Sequence, residues 1–405
     1  MKSDFFKGVP INGIIATALV IFIFQAVMSM YYNNNALMFP DIEAFNSINK
    51  AAAAADFDFI KVFKDLPSKK WSDGFLYQLC LSPFCRLAGK SNTISAVFIL
   101  DLIMFAALLL IFYRVALDYL GGELSFISML LFAISPPVML AAFSGAETAL
   151  TMLLFAAAFY HAYFSLPRKK YAGLLVFSIL MLFNGWIPAA FGLAFLIYAV
   201  LCAGEKKNRK HMPAIFIWAI GVYAVAVSAI FIYVFMHNLS IDYLRNNGLL
   251  DVKTWTVDSL FKDGFLWSKS APMFFTVFFY IAFFTGISGE LKEKTAGIFK
   301  LTAFLAAAAF LAGFFSCFEP VSRTYLFVSP FYFCLYLCAM KGLDDFSGYM
   351  EMKKNPYFTA RNLLYGFVMF FILYSVIMSF NRTVEADNYI QYMTGDGSVS
   401  KYLER

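Results

Sequence analysis

The stretch ISAVFILDLIMFAALLLIFYR, residues 94–114, determines the class of fold. It carries one aspartate and no other charge before its last residue, and it matches the length of about 20 apolar residues that a helix needs to cross a bilayer core. Runs of this kind recur along the whole chain. We identify eleven of them: 11–31, 94–114, 125–143, 147–165, 171–184, 186–203, 212–236, 272–288, 297–316, 322–340 and 362–380.

The composition of the whole chain is that of a membrane protein. Hydrophobic residues make up 61% of the 405 residues and charged residues 14%, whereas soluble proteins average roughly 45–50% and about 25%. So little charge cannot cover a surface that faces water. The sequence therefore predicts an all-α fold, a polytopic transmembrane helix bundle of about eleven spans.

Positive charge in the short loops predicts the orientation of this bundle. The clusters at 168–170, 205–210 and 292–294 are rich in Lys and Arg, as cytoplasmic loops are. Eleven spans place all three clusters on the side of the N-terminus and place the tail, 381–405, on the extracytoplasmic side. The alternative is one long kinked helix through Asn184, which would reverse the membrane orientation of every later span and loop. The net charge of +6 is then an orientation signal, and no nucleic-acid partner is expected.

The predicted organisation is one transmembrane domain, 1–380, with two long extracytoplasmic loops and a short tail. The first loop, 32–93, contains two expected amphipathic helices, at 41–58 and 75–87. The second loop, 237–271, is rich in turn-forming and polar residues. Neither loop is large enough to form a separate soluble domain.

Cysteine usage argues against a zinc site. The six cysteines and three histidines show no metal-ligand spacing. Cys80 and Cys85 lie in the first outer loop, where an oxidising compartment would permit a disulfide. The sequence leaves open whether these two residues are paired.

Charged residues in or beside membrane spans are costly and are therefore candidate functional residues. On the predicted orientation, an acidic set and one arginine gather on the extracytoplasmic side: Asp41, Glu43, Asp101, Glu147, Glu319 and Arg323.

Several of these residues have a purely structural alternative. Asp41 could cap the helix that it begins, and Glu147 could pair with Arg323. Asp101 either forms a hydrogen bond to a neighbouring helix or faces a cavity. His161, on an otherwise apolar helix, is interpreted as a packing residue rather than a ligand.

The order of short motifs along the chain points to a family. An acidic outer loop is followed by Gly-Lys-Ser-Asn-Thr at 89–93, Ser-Pro-Pro at 135–137, Ser-Gly-Ala-Glu-Thr-Ala-Leu at 144–150 and Arg-Thr-Tyr-Leu at 323–326. This order resembles the GT-C superfamily of polytopic membrane glycosyltransferases, and is closest to the branch of protein O-mannosyltransferases and bacterial lipid-linked sugar transferases. The likeness covers most of residues 1–345.

The resemblance implies sugar transfer on the extracytoplasmic face. The donor would be a polyprenyl-phosphate sugar, and the acceptor a hydroxyl of a glycan, a lipid or a protein. Asp41 matches the family's catalytic acid residue, with Glu43 as its partner, and Glu147 matches a second acidic position. Arg323 would bind the donor phosphate, because Arg makes bidentate contacts to phosphate oxygens. Asp101 and Glu319 would support the site.

Other interpretations remain open at this stage. The three carboxylates Asp41, Glu43 and Glu147 could hold a divalent cation, so metal dependence is undecided. A transporter or flippase of a lipid-linked substrate would also use charges near kinked helices, and a polysaccharide polymerase would also use lipid-linked sugars. The expected location is a bacterial inner membrane, with membrane lipid as the surrounding partner.

The orientation gives a first testable prediction. A reporter fused after Tyr402 should be active only in its extracytoplasmic form, because an odd number of spans separates the tail from the cytoplasmic N-terminus. Paired phosphatase and fluorescent-protein fusions measure this directly. A cytoplasmic signal from the tail would contradict the predicted topology.

Overall fold

The structure of the chain is a computed structural model, and every regular element that it describes is helical. It describes residues 10–33, 75–88, 93–135, 138–139, 142–143, 147–166 and 170–204, with isolated helical positions at 217, 220–221, 223–225, 301, 305, 332–334, 336–344, 366, 369–370 and 373. Among these residues there is no strand. The prediction of an all-α fold is confirmed for this part of the chain.

Seven helices organise the continuous segments. They are α1 (Ile11–Asn33), α2 (Phe75–Ala88), α3 (Thr93–Leu120), α4 (Gly122–Ile134), α5 (Glu147–Tyr160), α6 (Ala172–Leu182) and α7 (Trp186–Gly204). A π-helical turn, His161–Ser165, continues α5. The amphipathic helix expected at 75–87 is therefore present as α2.

The helix α4 ends at a Ser-Pro pair. The run expected at 125–143 is not one continuous helix, because Ser135 has extended backbone angles of φ −67° and ψ 131°. A residue that precedes proline is driven out of the helical region by a clash with the proline ring, and Pro136 follows Ser135. Helical bonding then resumes, since the amides of Val138 and Met139 both donate to the Ser135 carbonyl.

Two glycine turns reverse the chain direction. Gly121, with φ 85°, separates α3 from α4, and Gly185, with φ 128°, separates α6 from α7. Glycine adopts these positive angles without the steric cost that a side chain would add. Phe112 and Phe132 lie at similar sequence distances from Gly121, and their ring centres stack 4.3 Å apart. This contact is expected when α3 and α4 are antiparallel.

The α6–α7 hairpin excludes the single kinked helix considered above. The Tyr223 hydroxyl donates to the Ser178 carbonyl of α6 at 2.9 Å and to the Ala189 carbonyl of α7 at 3.2 Å. A Cβ on Gly192 would lie 2.6 Å from the Ser178 carbonyl oxygen, so the backbones are in close approach there. Ser178 and Gly192 are equidistant in sequence from Gly185, and the two helices are therefore antiparallel.

Aromatic rings fill the centre of the bundle. Phe333, from the segment at 332–334, lies edge-on to Phe112 at 5.1 Å and contacts the ring of Phe159 at 5.2 Å. Phe155 packs edge-on against Phe191 of α7 at 5.2 Å. Such ring pairs contribute dispersion and edge-to-face attraction, and they hold α3, α5, α7 and the later segment together.

The outside of the bundle is apolar as well. α1 buries one stripe but exposes large aliphatic side chains on the other, including Leu19, Val20 and Ile23. Ile103 of α3 and Val176 of α6 are likewise about half exposed. Helices that are apolar all round belong in a large core or in a membrane, and exposed aliphatic patches of this extent are unusual in soluble monomers.

Two described segments are long and apolar enough to cross a bilayer: Ser95–Leu120 and Thr148–Ser165. α6 has 11 residues, which at about 1.5 Å per residue is roughly half of a bilayer core. The expected span at 171–184 is therefore a short helix. These observations support membrane association, whereas the number of about eleven spans stays a prediction.

Other predicted features lie outside the described residues. They are the first amphipathic helix at 41–58, the second outer loop at 237–271, the span at 272–288, the tail at 381–405, and most of the spans at 212–236, 297–316 and 362–380.

The close approach in the α6–α7 hairpin yields a stability prediction. Gly192→Ala should destabilise the protein by about 1–3 kcal/mol, because its Cβ would overlap the Ser178 carbonyl, which a helix backbone cannot easily move. Thermal unfolding in detergent measures the effect. Gly122→Ala is the matched control, since a Cβ there meets nothing within 4 Å. Equal melting temperatures for the two variants would contradict the close approach of the α6 and α7 backbones at Gly192.

Candidate functional site

A buried hydrogen bond joins α2 to α3. The Tyr77 hydroxyl donates to Oδ1 of Asp101 at 3.0 Å, and each of the two residues is only 1% exposed. A buried carboxyl group requires hydrogen-bond donors, because its desolvation is otherwise costly. Of the two interpretations left open for Asp101, the structure therefore shows the hydrogen bond to a neighbouring helix.

A second buried bond joins α5 to the α6–α7 turn. Nδ2 of Asn184 donates to the Thr151 hydroxyl at 2.9 Å, and both residues are fully buried. Asn suits this place, since it tolerates turn conformations while its amide reaches a partner. The bond fixes the turn against the first part of α5.

A backbone hydrogen bond between neighbouring residues connects the Tyr77–Asp101 pair to the Asn184–Thr151 pair, so the four side chains lie at one level of the bundle. The amide of Leu76 donates to the Phe183 carbonyl at 3.1 Å. The first amides of a helix have no partner within it, so the α6–α7 turn satisfies one of the free donors of α2. We call Tyr77, Asp101, Thr151 and Asn184 the polar layer.

The polar layer lies beside the start of α5. Nearer the other end of the bundle, Arg114 of α3 contacts Phe164, which follows α5. Asp101 precedes Arg114 by thirteen residues, and Thr151 precedes Phe164 by the same number. α3 and α5 therefore run parallel, and Asp101 is about level with the first turn of α5. Glu147 is the first residue of that helix, one turn before Thr151.

Two of the sequence-predicted site residues are thus placed at one end of the bundle. The structure describes Asp101 within the polar layer and Glu147 as the residue that begins α5. The remaining four candidates, Asp41, Glu43, Glu319 and Arg323, lie outside the described residues. Their meeting with Glu147 stays a prediction.

Sequence reasoning missed the other three members of the layer. Asn184 was recognised only as a helix boundary, although an amide inside an apolar run is a signal for a buried hydrogen bond. Thr151 follows Glu147 by four residues, which is the spacing of one helix face. Tyr77 gives no comparable signal, because its partner lies 24 residues away along the chain.

The described residues contain no group of three His, Cys, Asp or Glu that could hold a metal ion. Cys80 and Cys85 are both free thiols on α2. Five residues on a helix correspond to about 500°, so the two side chains diverge rather than meet. Burial raises the pKa of both thiols above the usual value, which reduces the reactive thiolate fraction at neutral pH.

His161 is a packing residue in this structure, as its sequence context indicates. Its ring stacks on Phe177 of α6 at 5.5 Å, and its Nδ1 lies 3.0 Å from the Ser165 hydroxyl. Gly173 leaves the space that the imidazole ring occupies, because a Cβ there would collide with the ring.

Comparison with known proteins found no family model that matches this chain and no curated protein with significant similarity. A functional argument therefore depends on the chain's own residues.

The buried tyrosine–aspartate bond can be tested against an exposed one in the same protein. Tyr77→Phe should cost about 1–3 kcal/mol, because Asp101 loses a buried donor. Tyr163→Phe should cost less, since Tyr163 donates at 2.9 Å to Asp118, which water reaches. Thermal unfolding of both variants in one detergent gives the comparison, and losses of the same size would contradict the burial argument.

Proposed function

We propose that this chain is a membrane glycosyltransferase that moves a sugar from a polyprenyl-phosphate donor to an acceptor hydroxyl on the extracytoplasmic face of a bacterial inner membrane. The observation that carries the proposal is the polar layer, a set of buried polar groups at the end of an apolar bundle where α5 begins with Glu147. A lipid-linked substrate would have its polar part at such a place while its tail lies among apolar helices.

The proposed chemistry uses a carboxylate as the base and an arginine at the leaving phosphate. Asp41 takes the proton of the acceptor hydroxyl as that oxygen attacks the anomeric carbon. The bond between this carbon and the phosphate oxygen breaks, and polyprenyl phosphate leaves with the electron pair. Arg323 stabilises the negative charge of the leaving phosphate. Glu43 and Glu147 support Asp41 or hold a divalent cation beside it.

The polar layer would serve this chemistry by positioning. Asp101 accepts a bond that joins α2 to α3, Thr151 accepts one that joins the α6–α7 turn to α5, and the Leu76–Phe183 backbone bond connects the two pairs. The start of α5 is thereby held at a fixed place, and with it the backbone of Glu147. A catalytic carboxylate needs such support, because misplacement of a reacting group by about 1 Å costs roughly 100-fold in rate.

The test is sugar transfer in proteoliposomes that contain a panel of labelled polyprenyl-phosphate sugars. Asp41→Asn should lower the rate by about 10²–10⁴-fold, since it removes the proposed general base. Asp118→Asn is the matched control, because Asp118 is an exposed carboxylate near the other end of α3 and α5. It should keep the rate of the wild type.

Each outcome of this assay is informative. Release of polyprenyl phosphate by wild type and Asp118→Asn, but not by Asp41→Asn, would support both the reaction and its base. Transfer by Asp41→Asn at the wild-type rate would remove Asp41 from the mechanism. Absence of transfer from every donor, with labelled lipid crossing the bilayer in both variants, would replace the transferase with a flippase.

A further inference from the structure

A single arginine lies between α3 and α5 towards the end of the bundle opposite the polar layer. Arg114 is partly buried, and its guanidinium carbon lies 5.4 Å from the centre of the Phe164 ring. This distance is that of a cation–π contact, which attracts the guanidinium group to the ring face. The contact places the cation beside Phe164.

Arg114 lacks a close anionic partner among the described residues. The Nε atom of Arg114 is buried and has no hydrogen-bond acceptor among the described residues. Asp118 is one helical turn further along α3, but its Oδ2 accepts the hydroxyl of Tyr163 at 2.9 Å. Within the part of the chain that the structure describes, Arg114 forms no ion pair.

The surroundings of Arg114 are those of a membrane interface. Tyr160, Tyr163 and Phe164 form a contiguous aromatic group, with ring centres 4.8 Å apart for Tyr160 and Phe164 and 4.7 Å apart for Tyr163 and Phe164. Aromatic residues of this kind concentrate where a membrane meets water. Arg114 lies near the end of the segment Ser95–Leu120, and Phe164 lies in the segment Thr148–Ser165; both segments are long and apolar enough to cross a bilayer.

We infer that Arg114, held on Phe164, binds the phosphate of an anionic membrane phospholipid. A partly desolvated guanidinium group needs an anion, and its planar nitrogens match phosphate oxygens. A lipid is favoured over a soluble anion as the source, because Arg114 belongs to one candidate span and contacts a second, and basic pockets between such helices bind anionic headgroups. The inference requires insertion in a membrane and is independent of glycosyl transfer.

The experiment measures the thermal unfolding of the full chain in a neutral detergent during titration with phosphatidylglycerol. Phosphatidylcholine and inorganic phosphate are titrated separately. Phosphatidylglycerol should raise the melting temperature of wild type by about 2–4 °C, because a ligand that binds only the folded state stabilises it. Phosphatidylcholine and inorganic phosphate should each give less than half of this shift.

Three variants locate the effect. Arg114→Gln should lose at least half of the phosphatidylglycerol shift. Lys170→Gln, which removes the same charge from an exposed residue just before α6, should keep it. Phe164→Leu retains the cation but removes the ring, and should also reduce the shift. This variant tests the site even if Arg114→Gln does not fold.

Several results would overturn the inference. A full phosphatidylglycerol shift in Arg114→Gln, or in Phe164→Leu where Arg114→Gln does not fold, would show that the lipid binds elsewhere. An equal shift with phosphatidylcholine would show that the effect lacks charge specificity. A full shift with inorganic phosphate would identify a soluble anion as the ligand.

Discussion

The buried carboxyl group of Asp101 constrains how α2 packs against α3, because it requires the hydrogen bond from Tyr77. In a helix of apolar residues, a carboxyl group has no water to solvate it and must find a donor on another helix. Asp101 therefore selects the face of α3 against which α2 packs. The bond is only one contact among many apolar ones, but apolar contacts tolerate sliding and rotation, whereas a buried carboxyl group does not.

The same constraint explains the α6–α7 turn. α6 is too short to cross a bilayer core, so on a membrane-embedded reading the turn at Asn184 lies below the surface, where water cannot satisfy its polar groups. Irregular backbone at such a depth requires protein partners. The turn has two of them. The side-chain amide of Asn184 donates to the Thr151 hydroxyl, and the Phe183 carbonyl accepts a hydrogen bond from the backbone amide of Leu76. The short helix α6 therefore requires the polar layer, whose hydrogen bonds satisfy the polar groups of the turn that follows it.

Local rules account for what the sequence predicted well, and long-range packing accounts for what it missed. The end of α4 follows from Pro136 alone, and α2 begins and ends within one residue of its expected limits, because turn residues and apolar runs act over a few positions. The partner of Asp101 could not be deduced in this way. The bond joins residues 24 positions apart in sequence, and no local pattern indicates where along α3 the helix α2 lies. Asp41 and Glu43, expected to perform catalysis in the first outer loop, remain predictions because they lie outside the described residues.

The charged residues near the two ends of α3 have different kinds of partner, and the difference bears on function. Asp101 has a hydrogen-bond donor inside the protein, which gives its buried carboxyl group a structural role. Arg114 contacts a ring that supplies no negative charge, and the nearest carboxylate in sequence is engaged elsewhere. Among the described residues Arg114 has no ion-pair partner, which is why we propose that it binds an anion. In a bilayer, the abundant anion at that depth is the phosphate of a lipid.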